Sequence, residues 1–334
     1  MEKLLEIDNL SVQFHTPEGV ARAVDGVSFD LARGETLGLV GESGCGKSVT
    51  ALSILGLIPS PPGQTNADGI VFEGRNLINL DSEGLRQVRG REISMIFQEP
   101  MTSLNPVLPI GRQVAEPLMV HKGITKKEAY EEAAVWLENV KIPAARERLN
   151  DYPHQLSGGM RQRVMIAMAM VCRPKLLIAD EPTTALDVTI QAQILSLMVG
   201  LKEELGMSVL LITHDLGVVA QMASRVIVMY AGEVVEEAKV MDIFDSAFHP
   251  YTQGLLKSIP RLVDRVGGRA GRLNEIAGTV PPLTQIISGC KFADRCPHTF
   301  TLCREKHPGL FALGDGHNAR CWLKDYPERR KTHA

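Results

Sequence analysis

The chain has 334 residues, and its 36 lysines and arginines against 39 aspartates and glutamates give a formal net charge of −3. This length is enough for about two domains, and 44% hydrophobic with 22% charged residues is typical of a globular protein. The near-neutral charge argues against a general nucleic-acid binder, which usually carries a basic excess. The longest uninterrupted apolar run, residues 164–172, is too short to cross a bilayer. The first ten residues lack the layout of a signal peptide, so we expect a cytoplasmic protein with reduced thiols.

Short β-like segments alternate with helical stretches over about residues 4–237. The predicted strands are residues 35–40, 93–97, 175–180, 208–213 and 225–230. The last four are nearly continuous apolar runs, typical of strands buried on both faces of an α/β sheet. Helical patterns dominate about residues 99–170, for example over 126–140, which predicts an inserted helical subdomain. From about Ile259 prolines and glycines interrupt any long element, which predicts a small C-terminal appendage.

Residues 41–48 fit the phosphate-loop pattern G-x-x-x-x-G-K-[ST] at every fixed position, between a predicted strand and a helical run. Glycines let the backbone wrap a phosphate, whose charge then faces N–H groups and a helix N-terminus. Lys47 is expected to reach the β- and γ-phosphates, and Ser48 to coordinate Mg²⁺. The candidate nucleotide-binding residues here are Gly41, Ser43, Gly44, Cys45, Gly46, Lys47, Ser48 and Val49. Cys45 occupies a variable position of the pattern, so we interpret it as a small residue rather than a reactive thiol.

Two carboxylates, Asp180 and Glu181, follow the buried apolar run at residues 175–180. The carboxyl end of a parallel strand is where α/β sheets bind ligands. Asp180 is expected to hold Mg²⁺ through water, and Glu181 to polarise the water that attacks the γ-phosphate. The guanine-specific tetrapeptide Asn-Lys-x-Asp is absent from the sequence, so ATP is the expected nucleotide.

A second glycine pair stands in the segment Leu-Ser-Gly-Gly-Met at residues 156–160. Ser157, Gly158 and Gly159 would open another helix, whose N-terminus could meet the γ-phosphate held by a partner subunit. The alternative is a simple helix cap at Ser157.

The order of these motifs resembles the ATP-binding-cassette (ABC) family of ATPases over about residues 4–258. After the phosphate loop come Gln98, residues 156–160, the carboxylate pair, Asp187 in Ala-Leu-Asp, and His214. In the family these correspond to the glutamine loop, the signature, the catalytic carboxylate, the dimer-contacting D-loop and the switch histidine. The resemblance implies an α/β P-loop NTPase cassette with a RecA-like core sheet, an antiparallel β part and an inserted helical subdomain. Residues 1–258 would form this nucleotide-binding domain, with the helical subdomain at about 99–170, and residues 259–334 a cysteine-rich C-terminal domain.

The resemblance also implies roles for single residues. Gln98 would contact Mg²⁺ or the attacking water and sense the transmembrane partner, while His214 would contact the γ-phosphate. Phe14 is the candidate for stacking on adenine, although His15 competes with it and Phe14 could equally belong to the core. Met160 departs from the family, which usually has glutamine there, but it follows the serine and glycines, so we expect a working site.

Two segments resemble the ATPase subunits of oligopeptide, dipeptide and nickel importers. They are residues 98–111 and residues 249–260. The first follows the glutamine loop, in the region that receives the coupling helix of the membrane subunit in the family. The alternatives are an ordinary exposed loop for the first and a plain helix start at Pro250 for the second.

Four of the six cysteines, Cys290, Cys296, Cys303 and Cys321, follow the spacing C-x5-C-x6-C-x17-C. This spacing lacks the close cysteine pairs of zinc ribbons, and four thiolates predict a structural 4Fe–4S cluster. Peptide importers of the subfamily often carry this tail, and some resemble iron–sulfur proteins there. Zinc, with His298, His307 or His317 replacing a cysteine, and thiols without metal are the alternatives. Metal–ligand bonds would stabilise an appendage expected to have little core of its own.

Taken with the resemblance, these motifs predict an ATP-hydrolysing subunit that powers import of di- or oligopeptides. Its implied partners are a second ABC ATPase subunit, two transmembrane permease subunits and an extracellular solute-binding protein acting through the permease, with no nucleic acid. The implied location is peripheral, on the cytoplasmic face of the cell membrane. The alternatives are an importer of nickel or another solute, a soluble ABC ATPase acting on DNA or ribosomes, and a non-hydrolytic regulatory module.

Overall fold

The computed structural model describes residues 2–98, 103–184, 186–258 and 276–330. The strands in these residues are β1 (Lys3–Thr16), β2 (Gly19–Ala32), β3 (Thr36–Val40), β4 (Gly63–Asn66), β5 (Gly69–Phe72), β6 (Arg75–Asn76), β7 (Ile93–Ile96), β8 (Leu176–Asp180), β9 (Ser208–Thr213), β10 (Arg225–Tyr230), β11 (Glu233–Lys239), β12 (Phe311–Gly314) and β13 (His317–Ala319). The α-helices are α1 (Lys47–Ile54), α2 (Ser82–Val88), α3 (Ile110–Lys122), α4 (Lys126–Asn139), α5 (Gly158–Met170), α6 (Val188–Leu205), α7 (Leu216–Met222), α8 (Val240–Ser246), α9 (Pro250–Lys257) and α10 (Thr301–Glu305).

The chain divides into two compact units, each built from separate stretches of sequence. The first comprises residues 1–4, 31–36 and 75–212, and the second comprises residues 5–30, 37–74 and 213–334. Within the residues that the structure describes, no helix has both the length and the apolar character needed to cross a membrane.

The first unit contains a parallel sheet in the order β9–β8–β7. Every residue of β8 and β9 is buried, which confirms that their nearly continuous apolar runs form strands covered on both faces. The predicted bounds 208–213 match β9, and the predicted 175–180 begins one residue before β8. Chain direction is shared across these strands, so their carboxyl ends lie at one edge of the sheet.

The helices of the first unit begin and end at local sequence signals. At the start of α4 the Thr125 Oγ1 accepts the Glu128 N–H at 3.3 Å, and the Glu128 Oε2 accepts the Thr125 N–H at 2.8 Å, a reciprocal capping box. Gly123, in the left-handed conformation with φ 64°, ends α3. The helix predicted over residues 126–140 is therefore confirmed as α4.

The second unit contains two sheets. In one, β1 lies between β2 and β5 and also pairs with β4, with antiparallel pairing to β4 and β5. In the other, the order is β12–β13–β11–β10–β3, where β10 runs parallel to β3 and the other pairs are antiparallel. β13 thus extends the sheet of the second unit with residues from the far C-terminal part of the chain.

Aromatic side chains join the C-terminal residues to the core of the second unit. Tyr230, Tyr251 and Phe292 belong to one buried cluster, with ring centroids 4.7 to 5.4 Å apart. Cys290 and Cys296 pack against this cluster. The C-terminal segment therefore shares the core formed by β10, β11 and α9.

The prediction that the tail binds a 4Fe–4S cluster or zinc is wrong. Among the described residues there is no group of three or more His, Cys, Asp or Glu side chains that could hold a metal ion. Cys290, Cys303 and Cys321 are free thiols. Burial, reinforced by the neighbouring cysteines, raises the pKa of Cys290 and of Cys321 to about 12.

Two of the three histidines considered as zinc ligands in the tail, His307 and His317, contact glutamates. His307 Nε2 lies 2.9 Å from Glu233 Oε2, and His317 Nε2 lies 2.7 Å from Glu236 Oε1. The cysteine spacing led to a wrong prediction of a metal site, because an apolar core shared with β10, β11 and α9 stabilises this segment instead of metal–ligand bonds.

Candidate functional site

The phosphate loop connects β3 to α1 and depends on glycine at two positions. Gly41 and Gly46 have φ values of 154° and 105°. A Cβ added to Gly41 would lie 2.3 Å from Met229 O, and one added to Gly46 would lie 2.4 Å from Ala23 O. Gly46 also caps α1 without a side chain, so the first-turn N–H groups of that helix stay available to an anion. This cradle fits a phosphate group.

Lys47 is 6% exposed, and its ammonium group crosses the inside of the loop. Its Nζ donates to Gly41 O at 2.8 Å and to Glu42 O at 3.1 Å. An ammonium group held by carbonyl oxygens of the loop places a positive charge where the loop closes. The contact between Lys47 and nucleotide phosphates stays a prediction.

The remaining predicted residues of the loop differ in exposure. Ser43 and Gly44 are exposed, whereas Ser48 and Val49 are half-buried. Cys45 is 1% exposed, and burial raises its pKa although nearby Lys47 opposes that effect. A buried, protonated thiol is a poor nucleophile, which supports the interpretation of Cys45 as a small packing residue.

The predicted carboxylates follow β8 in the first unit. Asp180 is the buried last residue of that strand. Glu181 has a φ of 47°, an uncommon conformation for a residue other than glycine. Its N–H donates to Ile212 O at 2.8 Å, while its Oε2 accepts hydrogen bonds from Gln98 Nε2 at 3.1 Å and Thr184 Oγ1 at 2.8 Å. The structure thus brings together Gln98 and Glu181.

Thr184 was missed by the sequence reasoning. It stands three residues after Glu181, and its backbone N–H also bonds to Glu181 O at 3.1 Å. A hydroxyl residue in the turn after a strand-end carboxylate is the signal that could have identified it. Gln98 and Thr184 together restrict the orientation of the Glu181 carboxylate.

The serine and glycines at residues 157–159 begin α5. Ser157 is the exposed N-cap, and its Oγ accepts the Met160 N–H at 3.3 Å. A Cβ added to Gly158 would meet only Leu186 Cδ2, at 4.0 Å, whereas one added to Gly159 would lie 2.9 Å from Ile190 Cγ2. Ser157 is thus a helix cap, which explains its hydrogen bond to the Met160 N–H. A cap alone does not explain why glycine follows at both Gly158 and Gly159.

Asp187, the predicted D-loop aspartate, caps α6. Its Oδ1 accepts the Ile190 N–H at 3.0 Å, and the residue is exposed. The first turn of α6, through Ile190, is also the part that packs on Gly159. The predicted signature and D-loop segments are therefore neighbours within the first unit.

Two further predicted residues lie in the second unit. His214 is exposed directly after β9, before α7, whose N-cap Asp215 accepts the Gly217 N–H at 2.8 Å. Phe14 is half-buried in β1 opposite Gly63 of β4, and its Cε1 would lie 3.1 Å from a Cβ added there. The contacts of His214 and Phe14 with nucleotide stay predictions.

A second group missed by the sequence reasoning surrounds Glu42 of the phosphate loop. Its N–H donates to Tyr251 Oη at 2.8 Å, and its carboxylate forms two hydrogen bonds with Arg295, at 2.7 and 3.0 Å. Glu42 occupies a variable position of the loop pattern, and Arg295 lies 253 residues away in the sequence. The segment at residues 249–260 was the available signal, since it contains Tyr251.

Two family profiles match the chain. The profile described as ABC transporter matches residues 24–184, and the one described as oligopeptide/dipeptide transporter, C-terminal region, matches residues 235–303. A probable peptide ABC transporter ATP-binding protein of Sinorhizobium fredii is 55% identical, covering 96% of this chain and 94% of that protein. A dipeptide transport ATP-binding protein of Bacillus subtilis is 52% identical, covering 100% of this chain and 98% of that protein.

Solved structures agree with these matches. A dimeric ATP-binding cassette in a post-hydrolysis state with bound ADP and phosphate is 29% identical, with a TM-score of 0.62, and covers 71% of this chain and 98% of that one. A subunit of an ABC transporter complex from Clostridium perfringens is 26% identical, with a TM-score of 0.61, and covers 74% of this chain and 92% of that one.

Proposed function

Because the chain belongs to the ABC transporter ATPases that carry an oligopeptide/dipeptide transporter C-terminal region, we propose that it hydrolyses ATP to power import of di- and oligopeptides through a separate membrane channel. The observation that carries this proposal is the full-length similarity to peptide and dipeptide ATP-binding proteins, which includes the C-terminal residues. The phosphate loop with its glycine cradle and buried lysine supports the nucleotide part.

In this mechanism the phosphate loop and Lys47 bind the β- and γ-phosphates of ATP. Bound Mg²⁺ would neutralise phosphate charge, with Ser48, Gln98 and Asp180 as its proposed oxygen ligands. Glu181 accepts a proton from, or polarises, the attacking water, and the bond from Gln98 supports the orientation this requires. His214 contacts the γ-phosphate, and Phe14 stacks on the adenine ring.

Two cassettes would enclose ATP between them. In each site one subunit supplies the phosphate loop, and its partner supplies Ser157, Gly158 and Gly159. Asp187 would contact the partner subunit. The exposure of Ser157 and Asp187 at the starts of two helices supports this arrangement. Closure of the pair would drive the membrane subunits from one access state to the other, and hydrolysis would reset them.

The proposed partners are a related second ATPase, two membrane permease subunits and an extracellular binding protein that acts through the permease. The chain would lie at the cytoplasmic face of the membrane. We further propose residues 1–258 as the nucleotide-binding domain, with a helical subdomain at about 99–170, and residues 259–334 as the C-terminal domain of peptide-importer ATPases. Residues 99–102, part of the segment proposed to receive the coupling helix, lie outside the described residues.

Deletion of the gene in its parent organism, followed by uptake assays with a labelled dipeptide and with radioactive nickel, tests the function. We expect peptide uptake to disappear and to return with the wild-type gene but not with Lys47→Ala. Lys127→Ala, which removes an exposed lysine of α4, is the matched control and should restore uptake. Loss of nickel uptake with intact peptide uptake would reject the peptide assignment, and recovery of the protein only with ribosomes would reject transport.

A further inference from the structure

The phosphate loop is held from outside by residues of the C-terminal half of the second unit. Glu42, the second residue of the loop, connects three groups through its N–H, its C=O and its carboxylate. The N–H donates to Tyr251 Oη at 2.8 Å, the C=O accepts from Lys47 Nζ at 3.1 Å, and the carboxylate pairs with Arg295. The loop residue that bonds the catalytic-site lysine is therefore also the residue bound by the C-terminal segment.

The Arg295–Glu42 pair has the geometry of a strong ion pair. Nη1 donates to Glu42 Oε2 at 2.7 Å and Nη2 donates to Glu42 Oε1 at 3.0 Å, a bidentate arrangement. The Arg295 side chain is 5% exposed and that of Glu42 is 30% exposed, so solvent screens this pair less than a surface pair. The bond to Glu42 raises the pKa of Arg295 further above its already high value, so the guanidinium stays charged.

Arg295 itself has little freedom to move. Its Nε donates to Ala277 O at 3.0 Å, Nη2 donates to Ile276 O at 3.3 Å, and Nη1 reaches Tyr230 Oη at 3.4 Å. With the two bonds to Glu42, all five guanidinium N–H groups have an acceptor. The guanidinium also lies 5.7 Å from the ring centroid of Tyr230 and 5.9 Å from that of Phe292. Arg295 is thus a fixed point to which the loop is attached.

The position of Tyr251 is fixed by a second buried carboxylate. Glu236, which is fully buried, accepts the N–H groups of Phe248 at 2.6 Å and of His249 at 3.0 Å. His249 Nδ1 then accepts the Tyr251 N–H at 3.1 Å at the start of α9. The Tyr251 side chain, 0% exposed, projects from this anchored turn to the loop.

We propose that Arg295 is a positioning residue for nucleotide binding: with Tyr251 it fixes Glu42, and through Glu42 it holds the phosphate loop and Lys47 in the geometry that receives the phosphates. This inference rests on the ATP hydrolysis proposed above. It gives the C-terminal segment a part in the ATPase site, through a charged contact that does not involve the nucleotide.

The test is a double-mutant cycle on the full-length chain, with MgATP affinity measured by calorimetry and folding followed by thermal unfolding. Arg295→Gln and Glu42→Gln should each raise the Kd for MgATP by about tenfold, because each removes the same charged, bidentate contact. The double variant should bind no more weakly than the weaker single variant. Arg304→Gln removes an exposed ion pair with Asp294 in the same segment and is the matched control, with an unchanged Kd.

Glu42→Gln leaves the C-terminal segment intact, so it separates a local effect on the loop from unfolding of that segment. Variants that melt at lower temperature but bind MgATP with the wild-type Kd would overturn the proposal, and so would additive effects in the double variant. If the wild-type chain binds MgATP and the variants bind it with the same Kd, only the role of Arg295 is rejected. A wild-type chain that binds no MgATP rejects the proposed function and the role of Arg295 with it.

Discussion

The side-chain amide of Gln98 donates a hydrogen bond to Glu181 Oε2 at 3.1 Å, which joins residues 83 positions apart in the sequence. Thr184 Oγ1 donates to the same oxygen at 2.8 Å. These two hydrogen bonds to one oxygen restrict the orientation of the Glu181 carboxylate. The relationship makes Gln98 both a candidate ligand and an orienting group for the candidate base.

Glu181→Gln should lower ATP turnover by about 10² to 10⁴, since a positioned general base contributes about that factor. Binding of MgATP should stay within a few fold of the wild-type Kd, because the amide keeps the shape of the side chain. Steady-state hydrolysis in the assembled transporter, with calorimetric binding to the isolated chain, measures both quantities. Glu203→Gln, at an exposed position of α6, is the control and should hydrolyse at the wild-type rate. Equal turnover in Glu181→Gln and wild type would exclude the base role.

Gly158→Ala and Gly159→Ala should separate the fold from the function of the signature segment. At Gly158 an added Cβ meets nothing closer than 4.0 Å, so alanine should leave stability unchanged or raise it by up to about 1 kcal/mol. At Gly159 the Cβ would lie 2.9 Å from Ile190 Cγ2, so alanine should destabilise by about 1 kcal/mol or more. In an Ile190→Ala background the Gly159→Ala penalty should disappear.

Turnover by these variants then tests whether Gly158 faces a nucleotide on the partner subunit. We expect Gly158→Ala to slow ATP hydrolysis in the assembled complex by at least about tenfold without loss of melting temperature, since the added methyl group would obstruct close approach of phosphate. Wild-type turnover in Gly158→Ala would support the simple helix cap instead.

His249 should make the protein sensitive to acid. Burial lowers its pKa from the usual 6.5 to about 3, with repulsion from Arg320 as a smaller cause. Between pH 3 and pH 6.5 the imidazole of His249 is protonated in the unfolded chain and neutral in the folded chain. The free energy of unfolding therefore falls as pH decreases from about 6.5 towards 3. This residue alone contributes a slope of about 1.4 kcal/mol per pH unit within that window.

Urea unfolding between pH 7 and pH 4.5 measures this slope. In His249→Asn the side-chain oxygen can still accept the Tyr251 N–H. This variant should lose the His249 contribution to the slope of the unfolding free energy against pH, which corresponds to the uptake of about one proton on unfolding. His154→Asn, at an exposed histidine, should leave the slope unchanged. An identical slope in wild type and His249→Asn would show that His249 is charged in the folded protein.

The cysteines of the C-terminal segment should react slowly with alkylating reagents. At pH 8 a thiol with a pKa of about 12, as for Cys290 and Cys321, is a thiolate in only about one molecule in 10⁴. Peptide mapping by mass spectrometry should show both residues labelled at least about tenfold more slowly in the native chain than in urea. Rapid native labelling at Cys321, which is 9% exposed, would contradict its burial.

Several strands and helices were predictable because their signals are local. Residues 208–213 and 225–230 are nearly continuous apolar runs, and the structure forms β9 and β10 over those same residues. Thr125 and Glu128 are three residues apart, so the capping box at the start of α4 needs no distant contact. The tail was mispredicted because the spacing of its four cysteines does not reveal that Cys290 and Cys296 pack against an apolar cluster that contains Phe292.

By itself the sequence determined the phosphate loop and the order of the motifs that identify the family. The loop follows from glycines whose conformations few other residues adopt, between a strand and a helix that form from neighbouring residues. Only the tertiary structure decided that Gln98 bonds Glu181 and that Arg295 bonds Glu42, across 83 and 253 residues of chain. Such pairs depend on how strands and loops pack, and spacing in sequence carries no information about distances between residues so far apart.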